Sequence, residues 1–175
     1  TNNEDVEVMN AAPIVAAYES TATSCNGLSD GQVVVSATGG TGSFQYSENG
    51  NNFYDDPFEG LSAGDYIFYV QDENGCISEV DASVAEPEPI VINGVYSEGG
   101  GDGEGYIYIS VTGGTPGYSY EWTGPGVDGI TTADLEGLST GTYIVEVTDS
   151  AGCSTSTVFN VITDAPGCTV SVACN

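Results

Sequence analysis

The chain has 175 residues, 26 of them Asp or Glu, with no Lys, Arg or His, so its formal charge at pH 7 is -26. Without Lys or Arg nothing neutralises phosphates, which excludes nucleic-acid binding. Without His or Lys there is no Ser-His or Cys-His pair, no Schiff base and no P-loop lysine. Carboxylates, hydroxyls, thiols and backbone groups are the only chemistry left. The 39% apolar content, with 11 Tyr, 5 Phe and 1 Trp, is too rich for a disordered acidic tail, so the chain is expected to fold. No apolar run is long enough for a membrane span, and no basic segment precedes an apolar core at the N-terminus, so any signal peptide is expected to have been removed or to lie outside these residues. A chain without cations repels itself, and salt, acid or bound metal ions must offset that repulsion.

In chain order, residues 1–10 form a leader whose Asp5-Val6-Glu7-Val8 alternates like a strand that could be exchanged with a neighbour. Residues 11–87 are a first unit, opened by Pro13-Ile14-Val15. In it Val33, Val35 and Ala37 share one face of a strand while Gln32 and Ser36 take the other, and Tyr66, Phe68 and Val70 repeat the pattern. The linker Glu86-Pro87-Glu88-Pro89 reads as a semi-rigid spacer. Residues 88–164 repeat the unit, opened by Pro89-Ile90-Val91. Phe58-Glu59-Gly60-Leu61-Ser62-Ala63-Gly64-Asp65-Tyr66-Ile67 recurs as Leu135-Glu136-Gly137-Leu138-Ser139-Thr140-Gly141-Thr142-Tyr143-Ile144, a shift of 77, whereas Thr38-Gly39-Gly40-Thr41 recurs as Thr112-Gly113-Gly114-Thr115, a shift of 74. The difference places a three-residue insertion in the loop from Thr123 to Ala133. Residues 165–175 look like the first strand of a third unit. Short alternating segments separated by Gly-rich turns, with no helical period, predict an all-β protein of two tandem antiparallel sandwiches.

The motifs Asp30-Gly31, Thr112-Gly113-Gly114-Thr115-Pro116, Tyr118-Ser119-Tyr120-Glu121-Trp122, Leu138-Ser139-Thr140-Gly141-Thr142-Tyr143 and Val147-Thr148-Asp149-Ser150-Ala151-Gly152-Cys153 resemble the SprB-type repeat of Bacteroidetes cell-surface adhesins and gliding proteins. The resemblance covers roughly residues 13 to 163 and implies two Ig-like β-sandwich domains, similar to PKD modules, in a secreted, non-catalytic surface protein. The departures are Gly99 where Cys25 would align, and the missing basic residues.

Five cysteines in a secreted chain suggest disulfides. Cys25 and Cys76 flank the strands of the first unit, and a bridge between them would stabilise by ~4 kcal/mol on loop entropy. The pairing demands an even number of antiparallel strands between them; an odd number puts them at opposite ends. Cys153, lacking the aligned partner, has Cys174 or Cys168 to choose from, and Asn175 after Cys174, like Asn26 after Cys25, favours Cys174. The remaining thiol either bridges to a neighbouring chain or stays unpaired and buried.

Calcium (Ca2+) is the cation suited to clustered carboxylates, Asn side chains and Gly-rich backbone. The strongest candidate cluster is Glu48, Asn51, Asn52, Asp55 and Asp56; the others are Glu98, Asp102 and Glu104, and Asp128, Asp134 and Glu136. For each the alternative is a solvated turn built on side-chain-to-backbone hydrogen bonds, and Asp72 and Asp149 are read as turn-formers. No carboxylate pair stands out in one unit alone, and Asp149-Ser150-Ala151 fails the aspartic-protease pattern, so no enzyme is expected. Tyr106 and Tyr108 replace Gln32 and Val34 and should point outward, where they suit sugar stacking or contact with a protein; Trp122 belongs to the core.

These residues lead to an extracellular, cell-surface structural protein, a filament or adhesin subunit that self-associates through terminal strands and is stabilised by calcium. The alternatives are a glycan-binding surface module using Tyr106 and Tyr108, or a segment of a longer adhesin whose tail begins the next domain.

Overall fold

The computed structural model describes residues 12–54, 57–97 and 103–162. The expected exchanged strands in 1–10 and 165–175 therefore lie outside the described residues. The chain divides between Glu86 and Pro87 into two units. Among the described residues each holds six strands: β1 (Val15–Thr21), β2 (Gly31–Thr38), β3 (Phe44–Ser47), β4 (Phe58–Leu61), β5 (Gly64–Asp72) and β6 (Ile77–Val84) in the first, and β7 (Val91–Tyr96), β8 (Gly105–Thr112), β9 (Ser119–Thr123), β10 (Leu135–Leu138), β11 (Gly141–Thr148) and β12 (Ser154–Val161) in the second.

The strands form because apolar and polar residues alternate with period two, so that one face of each sheet is dehydrated. Val33 and Val35 are buried while Val34 between them is exposed, and in β11 Tyr143, Val145 and Val147 are fully buried while Ile144 is not. In the first unit β1-β2-β4 make one sheet and β3-β5-β6 the other; in the second the sheets are β7-β8-β10 and β9-β11-β12, all antiparallel. With the strands of an immunoglobulin domain lettered in chain order, this is A-B-E over C-F-G with no D strand among the described residues, an Ig-like sandwich. Two further marks agree with it. Tyr66 and Tyr143, each near the start of the F-like strand, donate their hydroxyls to the carbonyls of Ser62 and Ser139 four residues back, 2.8 Å in both cases, the tyrosine corner of this fold. Trp122, on the C-like strand, is fully buried as expected.

Each unit has its own core. In the first, Val33, Val35, Phe58, Leu61, Phe68 and Val70 pack together, with Phe58 and Phe68 stacked at 4.5 Å. In the second, Trp122, Tyr143, Val145, Val147 and Phe159 do so, with Val127 contributed by the inserted loop. That loop lies between β9 and β10, as the change of shift predicts, and its backbone cradles Trp122. The N–H of Gly129 bonds the Trp122 carbonyl at 3.1 Å, and the indole N–H donates to the Thr132 carbonyl at 2.9 Å.

The repeated Gly-Gly turn follows from close approach. At Gly39 and Gly113, φ is +79° and +76°, and a Cβ would sit 2.1 and 1.9 Å from the carbonyl oxygens of Pro13 and Pro89. The following residues, Thr41 and Thr115, give their N–H groups to the carboxylates of Asp72 and Asp149, at 3.0 and 2.8 Å. The same carboxylates accept from Asn74 and Cys76, and from Ala151 and Cys153, at 2.8 to 3.0 Å. Asp72 and Asp149, both buried, thus fasten two loops of one end together as turn-formers.

The Cys25–Cys76 bridge is a correction. Cys76 is a free, exposed thiol, while Cys25 is disulfide-bonded, as is Cys153. The physical reason is strand parity. Between the two cysteines the chain crosses the sandwich in β2, β3, a returning segment that bridges Tyr54 to Tyr46, β4 and β5, an odd number of passes. Cys25 follows Thr23, which bonds Ala85 just past the end of β6, whereas Cys76 directly precedes the start of β6. The length of that strand, ~3.3 Å per residue over eight residues, holds them ~25 Å apart, far beyond the ~7 Å a disulfide spans. Cys168 and Cys174 lie outside the described residues.

Candidate interaction face

The outward face of the sheet β7-β8-β10 carries the side chains that the fold does not consume. On β8 the inward positions are Ile107, Ile109 and Val111, which places Tyr106, Tyr108 and Ser110 outside. Tyr106 and Tyr108, two residues apart on one face, stack on each other with ring centroids 5.0 Å apart and planes 22° apart. They are a little over a third exposed, as predicted from sequence. Across the sheet Glu136 pairs with Tyr106 and Val95 with Tyr108. The Tyr108 hydroxyl donates to Glu136 Oε1 at 2.6 Å. That hydrogen bond, then desolvation, then the negative charge of Glu136 and Asp134, hold the phenol above its ordinary value.

β10 is only four residues long and pairs β8 over Gly105–Ile107. Where it has not yet begun, Asp134 supplies the acceptor a strand would have given: its Oδ1 takes the N–H of Ile109 at 3.0 Å. Asn93, Val95, Tyr108, Ser110 and Asp134 line a shallow groove there, and Val95 is 64% exposed.

The structure treats the metal candidates separately. Asn51 and Asn52 give their N–H groups to the Asn49 side chain, at 2.9 and 3.0 Å, in a turn capped by buried Ser47, so the described part of that loop is a hydrogen-bonded turn. Glu48 beside it is exposed, and Asp55 and Asp56 lie outside the described residues, as do Glu98 and Asp102; Glu104 is described and exposed. Asp128 accepts from the N–H of Gly124 at 3.0 Å in the inserted loop and is not grouped with Asp134 and Glu136. Among the described residues no three Asp, Glu, Cys or His come together to hold a metal ion.

Sequence reasoning found the two tyrosines but not their partners. The signal for Glu136 is the repeated Glu-Gly-Leu. Its counterpart Glu59 bonds Gln32, the residue in Tyr106's place, at 3.1 Å. Val95 and Asn93 carried no local signal, because only the register of β7 on β8 brings them to the tyrosines.

No curated protein matches the chain. Among solved structures, the full ectodomain (Ig1-Ig3) of mouse nectin-like molecule 4 aligns with 90% of this chain and 66% of its own, at 14% identity and a TM-score of 0.39. The N-terminal four Ig domains of Dscam1 isoform 1.9 align with 89% of this chain and 47% of their own, at 14% identity and 0.36. The Ig1 and Ig2 domains of DIP-gamma align with 75% and 89%, at 11% and 0.34. The chain thus spans about half to two thirds of the first two. No helix among the described residues is long and apolar enough to cross a membrane. Residues 17–53, from β1 to the loop after β3, match the family model described as SprB repeat, so the first unit resembles the extracellular, structural repeat modules of cell-surface adhesins.

Proposed function

We propose that the chain is a non-catalytic subunit of a cell-surface filament or adhesin that assembles through its terminal strands and is stabilised by calcium. One observation supports assembly above the others. In each unit the second strand is twice as long as its short neighbour: β4 pairs β2 only over Gly31–Val33, and β10 pairs β8 only over Gly105–Ile107. Among the described residues no strand continues either sheet alongside the remaining five residues. A strand of that length is what the alternating segments at 5–8 and 169–172 offer, and addition of a strand to an open sheet edge is a general mode of protein association. Calcium fits this reading because 26 carboxylates have no cation within the chain.

The test is sedimentation velocity on the full chain and on a chain lacking residues 165–175, each with calcium and with a chelator at fixed ionic strength. Oligomers in the full chain that vanish on truncation support strand exchange, and their loss in chelator supports the calcium role. Monomers throughout overturn both.

A further inference from the structure

We propose that the outer face of β7-β8-β10 is a receptor for cationic side chains, arginine or lysine, of a basic partner protein, with the Tyr106–Tyr108 pair and the carboxylates of Asp134 and Glu136 as its contacts. This goes beyond assembly through terminal strands, which uses the backbone edge of β8, whereas the contacts here are side chains on its outer face.

Charge complementarity carries the argument. The chain has 26 acids and no basic residue, so it steers cations toward every surface, and the question is which surface can hold one. Asp134, just before β10, lines the groove with Tyr108, and Glu136 on β10 bonds the Tyr108 hydroxyl, so both carboxylates lie beside the same tyrosine. Each has one oxygen occupied, by the Ile109 N–H and the Tyr108 hydroxyl, and one oxygen open. The phenol proton of Tyr108 is committed to Glu136, so the open oxygens of the two carboxylates are left as the charged acceptors of the face. A guanidinium or ammonium donates and carries the opposite charge, so it matches those carboxylates in both respects, whereas a sugar hydroxyl can donate to them but brings no charge. The negative ring faces of the tyrosines add cation–π attraction beside the carboxylates.

The first unit provides the contrast. There Gln32 replaces Tyr106 and its amide already donates to Glu59, while Val34 replaces Tyr108 and Pro57 stands in the place of Asp134. One oxygen of Glu59 is taken by an internal donor, as in Glu136, but no second carboxylate and no aromatic pair stands at the corresponding positions beside it. Calcium is a poorer fit, because two carboxylates without a third acid fall short of the six to eight oxygens it takes.

The experiment is an NMR titration of the full chain with an arginine-containing peptide and, in parallel, the same peptide with citrulline in place of arginine, at about 150 mM salt, where exposed charges are screened beyond ~8 Å. The expected result is saturable shifts centred on Tyr106, Tyr108, Val95 and Glu136 with the arginine peptide and none with citrulline. The variant Tyr106→Gln/Tyr108→Val installs the residues of the first unit without changing net charge, and should weaken binding by about tenfold. Glu136→Gln, which leaves the stacked pair in place, should weaken it similarly. Shifts spread over both units and unaltered in either variant would overturn the proposal in favour of unspecific attraction. Equal binding of the citrulline peptide, or shifts at this face with a neutral oligosaccharide or calcium alone and none with arginine, would overturn it as well.

Discussion

The two units are built on one scaffold and filled differently. Where β1 carries Tyr18 opposite Val35, β7 carries Gly94 opposite Ile109; where β6 carries Ala82, β12 carries Phe159. Tyr18 and Ala82 line one hollow in the first unit, and in the second the ring of Phe159 lies over Gly94, 2.5 Å from where a Cβ would be. A large residue on one sheet faces a small one on the other in both units, with the order reversed, so volume is conserved while neither position is. Likewise Trp122 and its inserted cradle stand where the first unit turns tightly at Ser47 and Asn49. What does not vary is the hardware of the turns: Gly39 and Gly113, Asp72 and Asp149, Tyr66 and Tyr143.

The largest expected effect tests that exchange of volume. Phe159→Ala removes an almost fully buried ring from a site whose opposite wall is a glycine, and should lower the stability of the second unit by ~3–5 kcal/mol in denaturant unfolding. Ala82→Phe should overpack the first unit against Tyr18 and cost ~1–3 kcal/mol, most of it recovered when Tyr18→Gly is added. A double variant no better than the single would break the comparison.

The tyrosine corner comes next. Tyr143→Phe deletes the hydroxyl that bonds the Ser139 carbonyl and leaves the buried ring, for a loss of ~1 kcal/mol. Tyr66→Phe should cost a similar or smaller amount, because Tyr66 is less buried. Thermal melts of the two variants against the parent measure both.

Acid acts on the second unit through Asp149. Its carboxyl is held below the ordinary 3.8, first by the Thr115 N–H and then, against desolvation, by the N–H groups of Cys153, Ala151 and Gly152. A depressed folded-state value contributes stability that is fully present above about pH 4 and lost as pH falls through the folded value. The gap in melting temperature between the parent and Asp149→Asn should therefore be widest near pH 5 and close toward pH 2. Relief of repulsion among the other carboxylates acts on both proteins and cancels in the difference.

The smallest perturbation is chemical. Of Cys25, Cys76 and Cys153, only Cys76 should take up iodoacetamide under native, non-reducing conditions, as read by peptide mass mapping, with little change in the melt. Modification of Cys25 or Cys153 would contradict their bonded state.

Strand alternation, the Gly-Gly and Asp-x-x-Gly turns and the site of the insertion were all legible in the sequence, because each expresses a local rule: period two, positive φ, an acceptor two to four residues from the donors it serves. The outward direction of Tyr106 and Tyr108 followed from the same period. The Cys25–Cys76 pairing failed because parity depends on a returning segment at Tyr54 too short to show as a strand in the pattern. The grouping of Asp128 with Asp134 and Glu136 failed because proximity in sequence was taken for proximity in space. The turn at Gly124 directs Asp128 to its own loop.

The sequence alone thus determined an all-β chain of two repeated units, an acidic surface that only an outside cation can balance, and the turns that hold each unit's end together. Those are properties of composition and of neighbours a few residues apart. Only the tertiary structure decided that Glu136 meets Tyr108, that Asp134 substitutes for a missing strand, that Phe159 fills the space above Gly94, and that Cys76 keeps a free thiol. Each depends on register between strands or on the number of passes across the sandwich, and neither is written in any short stretch of the chain.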